Sequence, residues 1–376
     1  MTIVQGPEEN EILDGPIDGL TFEEQGIFLR GDQAFGDIFT IEKGLGPVFV
    51  ANQCASCHPG DGKGSPFVSF TRFGQPDTLG NQFIAFGGPQ LQHKAIPGFQ
   101  PEELPGGATF TDLIAPAVTG LGFLDAVSDA DILANSDPDD LNGDGISGVP
   151  HWNNIPDYVA LRSNSISQNG KYITRFGKKG AVYDLLQQTS GAYNQDMGIT
   201  SLFEPIDPHS RLEVDPEIST QTINNVVFYL KTLKAPIARN QNNPSVIAGK
   251  EIFSRINCVS CHIPTLKTGN SPITVLSNKE FHPYTDLLLH DMGGQLDDNY
   301  TEGFALTSEW RTPPLWGLGL SKNAQGGTYF LMHDGRARSI EEAIMFHGGE
   351  SELAKIRYSQ LTNAEKQDLI TFLESL

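Results

Sequence analysis

Two short runs carry the most chemistry in this 376-residue chain: Cys54-Ala-Ser-Cys57-His58 and Cys258-Val-Ser-Cys261-His262. All four cysteines of the protein lie in them. Paired thiols two residues apart, followed at once by histidine, suit covalent attachment of haem. The thiols add across the porphyrin vinyl groups, and the adjacent imidazole is then held beneath the iron as proximal ligand. Two disulfides or a four-cysteine zinc site are the plainer uses of four cysteines, but neither explains a histidine after the second cysteine both times. The runs therefore predict two covalently bound haem c groups, with His58 and His262 on the irons.

A third run, Asp140-Leu-Asn-Gly-Asp-Gly145, places oxygen ligands at positions one, three and five and glycine at six. That is the opening of an EF-hand-type loop, so Asp140, Asn142 and Asp144 are candidate calcium ligands. Position twelve is His151, where a full EF-hand has glutamate, and an Asp/Gly-rich turn is the plain alternative.

The elements that must position these runs read as helices. Thr21-Phe-Glu-Glu24 and Thr362 with Glu365 are capping boxes that start one helix near the N-terminus and one near the C-terminus. Apolar stripes at Ile223, Val226, Val227, Leu230, Leu233 and at Leu369, Phe372, Leu373, Leu376 predict an amphipathic helix after each haem motif. Phe49 and Phe253 both stand five residues before a first cysteine, with Gly46 and Gly249 a little earlier, which suggests two copies of one plan. Ala235 to Ser245 is polar and proline-bearing, a linker. The expected fold is mainly α: two cytochrome c-like domains, 1–235 and 236–376, each with one haem. Loop-rich insertions are expected from 40 glycines and 24 prolines, with strands weak and short.

Composition limits the partners. Lys and Arg number 25 against 46 Asp and Glu, giving a formal charge of −21 that repels nucleic acid and suits basic or neutral partners. No apolar run reaches eighteen residues, so no transmembrane segment is expected. Haem is attached in this way outside the cytoplasm, yet Met1-Thr-Ile-Val-Gln-Gly-Pro7 is neither basic nor apolar enough for an export signal. The expectation is a processed, periplasmic or otherwise exported protein.

Beyond the haem runs, Arg311-Thr-Pro-Pro-Leu-Trp-Gly-Leu-Gly319, His333-Asp-Gly-Arg336, Glu341-Glu-Ala343 and His347-Gly-Gly-Glu350 resemble the di-haem oxidoreductases described as peroxidases. These are related to bacterial di-haem cytochrome c peroxidase and to MauG. The likeness runs from about Leu20 to the C-terminus. It implies that one six-coordinate haem takes in electrons while the other keeps an open or releasable face for peroxide. A sixth ligand fourteen residues after the histidine of His-Asp-Gly falls on His347, with Met345 and Met332 as alternatives. The distal histidine of the peroxidases, sixteen residues beyond the first motif's histidine, falls on Gly74. The N-terminal iron is therefore expected to be open or weakly ligated, with His93 and Met197 in reserve.

The resemblance also implies a glutamine and an acid over the open haem, at Gln187 and Asp196, where the relatives carry Glu and one more intervening residue. A polar turn is the plain reading of that segment. Where relatives carry a tryptophan that bridges the haems, this chain has Lys178, leaving Trp152 or Trp316 as substitutes. Thr328 matches the position of an inter-haem calcium ligand, while Phe330 stands where the relatives have proline. His282 and His290 are expected on propionates or backbone, Arg311, Arg336 and Arg338 are candidate propionate partners, and His151 and His209 are read as structural.

The function implied is peroxidase-like: hydrogen peroxide or another small oxidant is reduced at the N-terminal haem. A small cytochrome- or cupredoxin-type donor feeds the C-terminal haem. Two other readings stay open: a purely electron-transferring cytochrome with both irons six-coordinate, and MauG-like oxidation of an organic substrate. A homodimer is one of the assemblies the reading admits.

Overall fold

The computed structural model describes residues 13–61, 63–77 and 80–376; the Met1–Pro7 expectation lies outside them. Among the described residues ten α-helices run in chain order: α1 Phe22–Gly36, α2 Leu121–Asp125, α3 Asp129–Leu133, α4 Leu185–Met197, α5 Thr220–Thr232, α6 Pro244–Arg255, α7 Leu318–Ala324, α8 Ile340–Phe346, α9 Glu352–Ser359 and α10 Asn363–Ser375. Both predicted capping boxes form, at Thr21 with Glu24 and at Thr362 with Glu365. The two striped segments become α5 and α10 and bury Ile223, Val226 and Leu230, and Leu369, Phe372 and Leu373.

A matched pair of helices flanks each haem motif. α1 packs on α5, and α6 packs on α10. Each contact turns on one glycine, because a side chain there would collide with the facing backbone. A Cβ on Gly31 would lie 2.2 Å from the Asn225 carbonyl oxygen, and one on Gly249 would lie 2.1 Å from that of Asp368. Four residues on, Phe35 and Phe253 reach the motif histidines, with ring centres 6.0 Å from His58 and 6.4 Å from His262. Tyr229 and Phe372 back them at 5.5 Å.

The internal repeat is therefore real in its helices but differs from the one read off the sequence. Phe253 corresponds to Phe35, not Phe49, and Gly249 to Gly31, not Gly46. Phe49 instead lies in β1 (Val48–Phe49), a two-residue strand paired with β4 (Lys94–Ala95). The segment 235–245 is fastened rather than loose, since Arg239 N–H donates to the Ser375 carbonyl at 2.7 Å.

Strands contribute more than expected. β2 (Ser69–Gly74) pairs antiparallel with β3 (Gln90–Leu91) and along its whole length with β5 (Thr109–Ile114). Further on, β6 (Trp152–Asn153), β7 (Ser167–Gln168) and β8 (Lys171–Ile173) form a second three-stranded sheet. Pairs β9 (Leu266–Lys267) with β10 (Glu280–Phe281), and β11 (Leu289–Asp291) with β12 (Glu309–Arg311), complete the set. The fold is helical with small antiparallel sheets, and one of those sheets supplies a wall of the central cavity.

Arg175, of the Arg175-Phe-Gly run, is fully buried and ion-paired to fully buried Asp129. It also donates to the Val127 carbonyl at 2.7 Å, and Asp129 accepts from Ile166 N–H at 2.9 Å. Removing one member leaves an uncompensated buried charge. Asp129→Ala should cost about 3–5 kcal/mol in denaturant unfolding of the mature protein; a loss under about 1 kcal/mol would show the pair to be dispensable.

Candidate functional site

A cavity of about 570 Å³ runs from one cysteine motif to the other. Cys54, Cys57 and His58 line it at one end, and Cys258, Cys261, His262 and His347 at the other. None of the four cysteines is in a disulfide. Among the described residues, the one cluster of metal-ligating groups is Cys261, Asp286 and His290, so the cysteines do not assemble a four-thiol site.

At the C-terminal end two imidazoles are prepared in the same way. His262 Nδ1 is hydrogen-bonded to the Tyr284 carbonyl at 3.0 Å, and His347 Nδ1 to the Ala343 carbonyl at 2.8 Å. Each bond fixes the ring and leaves Nε2 for another partner, the arrangement typical of metal-bound histidine. Both side chains line the cavity, and burial lowers both pKa values, that of His262 to about 4. Met345 is 45% exposed and outside the cavity lining, whereas Met332 lines it.

His290 fastens the His347 segment. Its Nδ1 meets Glu350 at 2.6 Å and its Nε2 meets Asp286 at 2.8 Å. Burial disfavours its charge, but these carboxylates raise its pKa well above the ordinary value. Glu350, despite its own burial, is held down to about 2 by bonds from His290 and Ser147. The Ser147 hydroxyl donates to Glu350 at 2.6 Å, tying the Asp140–Gly145 loop to the segment that carries His347. Within that loop, Asp140 accepts from Gly145 N–H, Asn142 from Asp144 N–H and Asp144 from Ile146 N–H.

The N-terminal end is different. His58 is half-buried, its ring is turned to the Pro116 backbone, and burial, with the charge of Lys178 adding to it, lowers its pKa to about 4. The other wall comes from α4 and β2. Gln187, Gln188, Gly191, Ala192, Gln195 and Asp196 all line the cavity. Gln187 Oε1 accepts from Tyr183 N–H at 2.8 Å, so its carbonyl end is committed to the start of α4. Asp196 accepts from the Gln90 side-chain amide, and burial raises its carboxyl to about 6. His93 is exposed on the surface, and Met197 packs with Phe39, Leu45, Tyr193 and Ile199 although it reaches the cavity lining. Gly74 closes β2, where a Cβ would meet Asn81 and Tyr300.

Between the two ends, positive charge is concentrated without its usual partners. Lys63 and Lys178 line the cavity, and neither has an ion pair among the described residues. Burial, with Arg311 beside it, lowers Lys63 to about 8. Burial together with Lys63 and Arg311 lowers Lys178 to about 7. Arg311 gives Nε to the Gly177 carbonyl at 3.2 Å and is itself pushed down to about 10 by burial. Arg336 and Arg338, also proposed as propionate partners, instead bind Asp334 and the Gly335 carbonyl away from the cavity.

Trp310 was missed by the sequence reading. Its ring stacks on His333 at 4.0 Å, with the Lys179 ammonium 4.0 Å from the ring centre. Arg311 N–H donates to the Lys178 carbonyl at 3.3 Å, so Trp310 lies next to the position where relatives carry tryptophan. Trp316 also reaches the cavity but packs in the core on Phe281, and Trp152 lies outside the lining. His282 is on the surface with Thr265, His151 bridges the Lys179 carbonyl and Phe304 N–H, and His209 packs edge-on to Phe99.

A profile of the family described as "Di-haem oxidoreductase, putative peroxidase" matches residues 111–376. This chain belongs to that di-haem oxidoreductase family. No curated protein matches it. Among solved structures, hydrazine synthase of Kuenenia stuttgartiensis is 15% identical over 100% of this chain and 98% of that one, with a TM-score of 0.39. A MauG-like protein associated with microbial copper homeostasis is 13% identical over 99% and 95%, with a TM-score of 0.42.

The cavity fits the haems of a di-haem oxidoreductase on its own evidence. Three cations on the cavity wall with too few carboxylates suit propionates, and oriented imidazoles with available Nε2 atoms suit iron. Among the described residues no helix is long and apolar enough to cross a membrane.

Proposed function

We propose that this protein is an exported di-haem c-type oxidoreductase that reduces hydrogen peroxide at its N-terminal haem, with electrons entering at the C-terminal one. Cys54 and Cys57 would hold the first haem and Cys258 and Cys261 the second, in domains spanning 1–235 and 236–376. Haem iron supplies one-electron redox steps and, where a coordination face is open, a binding place for peroxide.

The observation that carries the reading is the difference between the two ends. His262 shares the cavity with a second imidazole prepared in the same way, His347, whereas α4 presents Gln187, Gln195 and Asp196. Bis-imidazole ligation makes an electron-transfer centre, with little room for substrate. At the other end the wall presents glutamines and a carboxyl poised near neutrality, which suits proton transfer. Asp196 would take the proton from the near oxygen of peroxide and return it to the far one. Gln187, through its remaining amide group, would orient the substrate. Trp310 stacked on His333 offers an aromatic path through the middle of the cavity.

Calcium belongs to the same proposal. Asp140, Asn142 and Asp144 would exchange bonds to their own loop for the ion, next to the Ser147–Glu350 tie. The acidic surface suits a small basic donor of cytochrome or cupredoxin type.

Rapid mixing of the fully reduced, matured protein with hydrogen peroxide tests the reading. It should reoxidise both haems at one peroxide per two electrons, and carbon monoxide should bind one haem before mixing. Reoxidation no faster than that of free haem, with no carbon monoxide bound, would leave only an electron-transfer cytochrome.

A further inference from the structure

The wall that carries Asp196 also carries a half-buried arginine that nothing above uses. Along β2, Phe70 and Arg72 point into the cavity, while Thr71 between them bonds Asp112 at 2.5 Å outside the lining. Arg72 Nη1 donates to Gln195 Oε1 at 2.8 Å and lies 3.5 Å from Gln90 Oε1. The amide of that same Gln90 donates to Asp196. Arg72 Nη2 pairs with Glu302 at 2.6 Å. The guanidinium and the Asp196 carboxyl are thus joined through the Gln90 side chain and are not paired with each other.

This division has a chemical consequence. Glu302 takes the salt bridge, so Asp196 keeps its oxygens available for a proton. Burial disfavours the charge on Arg72, but Glu302 and Tyr300 more than offset it, so the side chain stays cationic. A guanidinium has five N–H donors, and the bonds to Gln195, Gln90 and Glu302 leave further donors for a substrate in the cavity that Arg72 lines.

We propose that Arg72 is a catalytic residue of the peroxide site, donating to the far oxygen as it departs. This rests on the peroxide reading above. As the O–O bond breaks, the bonding pair leaves with the far oxygen, which becomes water on receiving the proton carried by Asp196. Two electrons from the redox donor and two protons from solvent turn the near oxygen into a second water. Arg72 offsets the negative charge that gathers on the departing oxygen, and it does so without giving up its own proton.

The test uses the matured two-haem protein as wild type, Arg72→Leu, Arg72→Lys and, on the opposite face of the same strand, Thr71→Ala. Fluoride binding to the ferric protein reads the donor, carbon monoxide binding to the ferrous protein reads the integrity of the pocket, and peroxide is mixed separately. Losing one preorganised donor should weaken fluoride about 10²-fold and slow the peroxide reaction about 10²–10³-fold in Arg72→Leu. Arg72→Lys should recover part of both, since it restores charge without the fork, and Thr71→Ala should match wild type. Carbon monoxide, which carries no charge, should bind all four proteins alike. Fluoride and peroxide within about twofold of wild type in Arg72→Leu, with carbon monoxide unchanged, overturn the assignment and leave the peroxide reading intact. If Arg72→Leu loses carbon monoxide too, Arg72→Lys decides, and wild-type fluoride affinity there overturns the assignment. A wild type that neither reacts with peroxide nor binds carbon monoxide defeats the reading, and the role of Arg72 with it.

Discussion

In oxidised His347→Ala protein the low-spin ferric signal of the C-terminal haem should disappear from the electron paramagnetic resonance spectrum, replaced by a high-spin one. His347 lines the cavity with His262, and its Nδ1 bond to Ala343 holds the ring so that Nε2 is left for iron. His290 is committed at both nitrogens to Asp286 and Glu350, which removes it as a ligand. Alanine at 347 therefore leaves the second axial position without a protein donor. The potential of that centre should rise, because an imidazole nitrogen favours the ferric state and its loss removes that preference. Added imidazole should restore the low-spin signal. Met345→Ala and Met332→Leu should leave it in place, the first because its side chain is largely at the surface. A low-spin signal that survives His347→Ala and vanishes in Met332→Leu would transfer the ligand role to the methionine.

What could be read from the chain alone depended on how local the information was. The haem runs and the two capping boxes are complete within a few residues, so spacing reveals them. The helix repeat is also written locally, as Gly31-Asp-Gln-Ala-Phe35 and Gly249-Lys-Glu-Ile-Phe253. It was misaligned because Phe35 stands nineteen residues before Cys54, whereas Phe253 stands five before Cys258. Counting back from the cysteines met Phe49, which belongs to the inserted segment and its small strand. Glycine followed four residues later by phenylalanine, on a helix that must approach another backbone, was the available signal.

The cavity walls were less legible for a different reason. β2 shows no clean alternation, because one of its faces meets a cavity that wants both Phe70 and Arg72. Only the register with β3 and β5 reveals which side chains turn inward. Trp310 is similarly a matter of tertiary placement. It stands one residue before the Arg311 motif and reaches the inter-haem region through the β12 strand and its contact with Lys178. The cation cluster of Lys63, Lys178 and Arg311 joins segments far apart in sequence, and spacing rules cannot see it.

Asp196→Asn should slow the peroxide reaction by about 10²–10⁴-fold while leaving carbon monoxide binding and the His347 signals intact. The asparagine oxygen can still accept from Gln90, so the wall keeps its shape and loses only the base. pH supplies the sharper test. Burial raises the Asp196 carboxyl to about 6, well above its ordinary value, and the base must be ionised to take a proton. The wild-type rate should therefore fall as pH drops through about 6, and the variant should lack that limb. Stability should move the opposite way. A carboxyl whose pKa is raised by folding binds more protons folded than unfolded, so its contribution is present at low pH. That contribution is lost as pH rises from the ordinary value of 3.8 through about 6. At pH 7 Asp196→Asn should accordingly unfold at a higher temperature than wild type although it turns over far more slowly. Gain in stability with loss of rate is what a carboxylate kept in a cavity wall for chemistry would give. A variant that loses rate and stability together, or keeps the acid limb, would assign the proton transfer to another group.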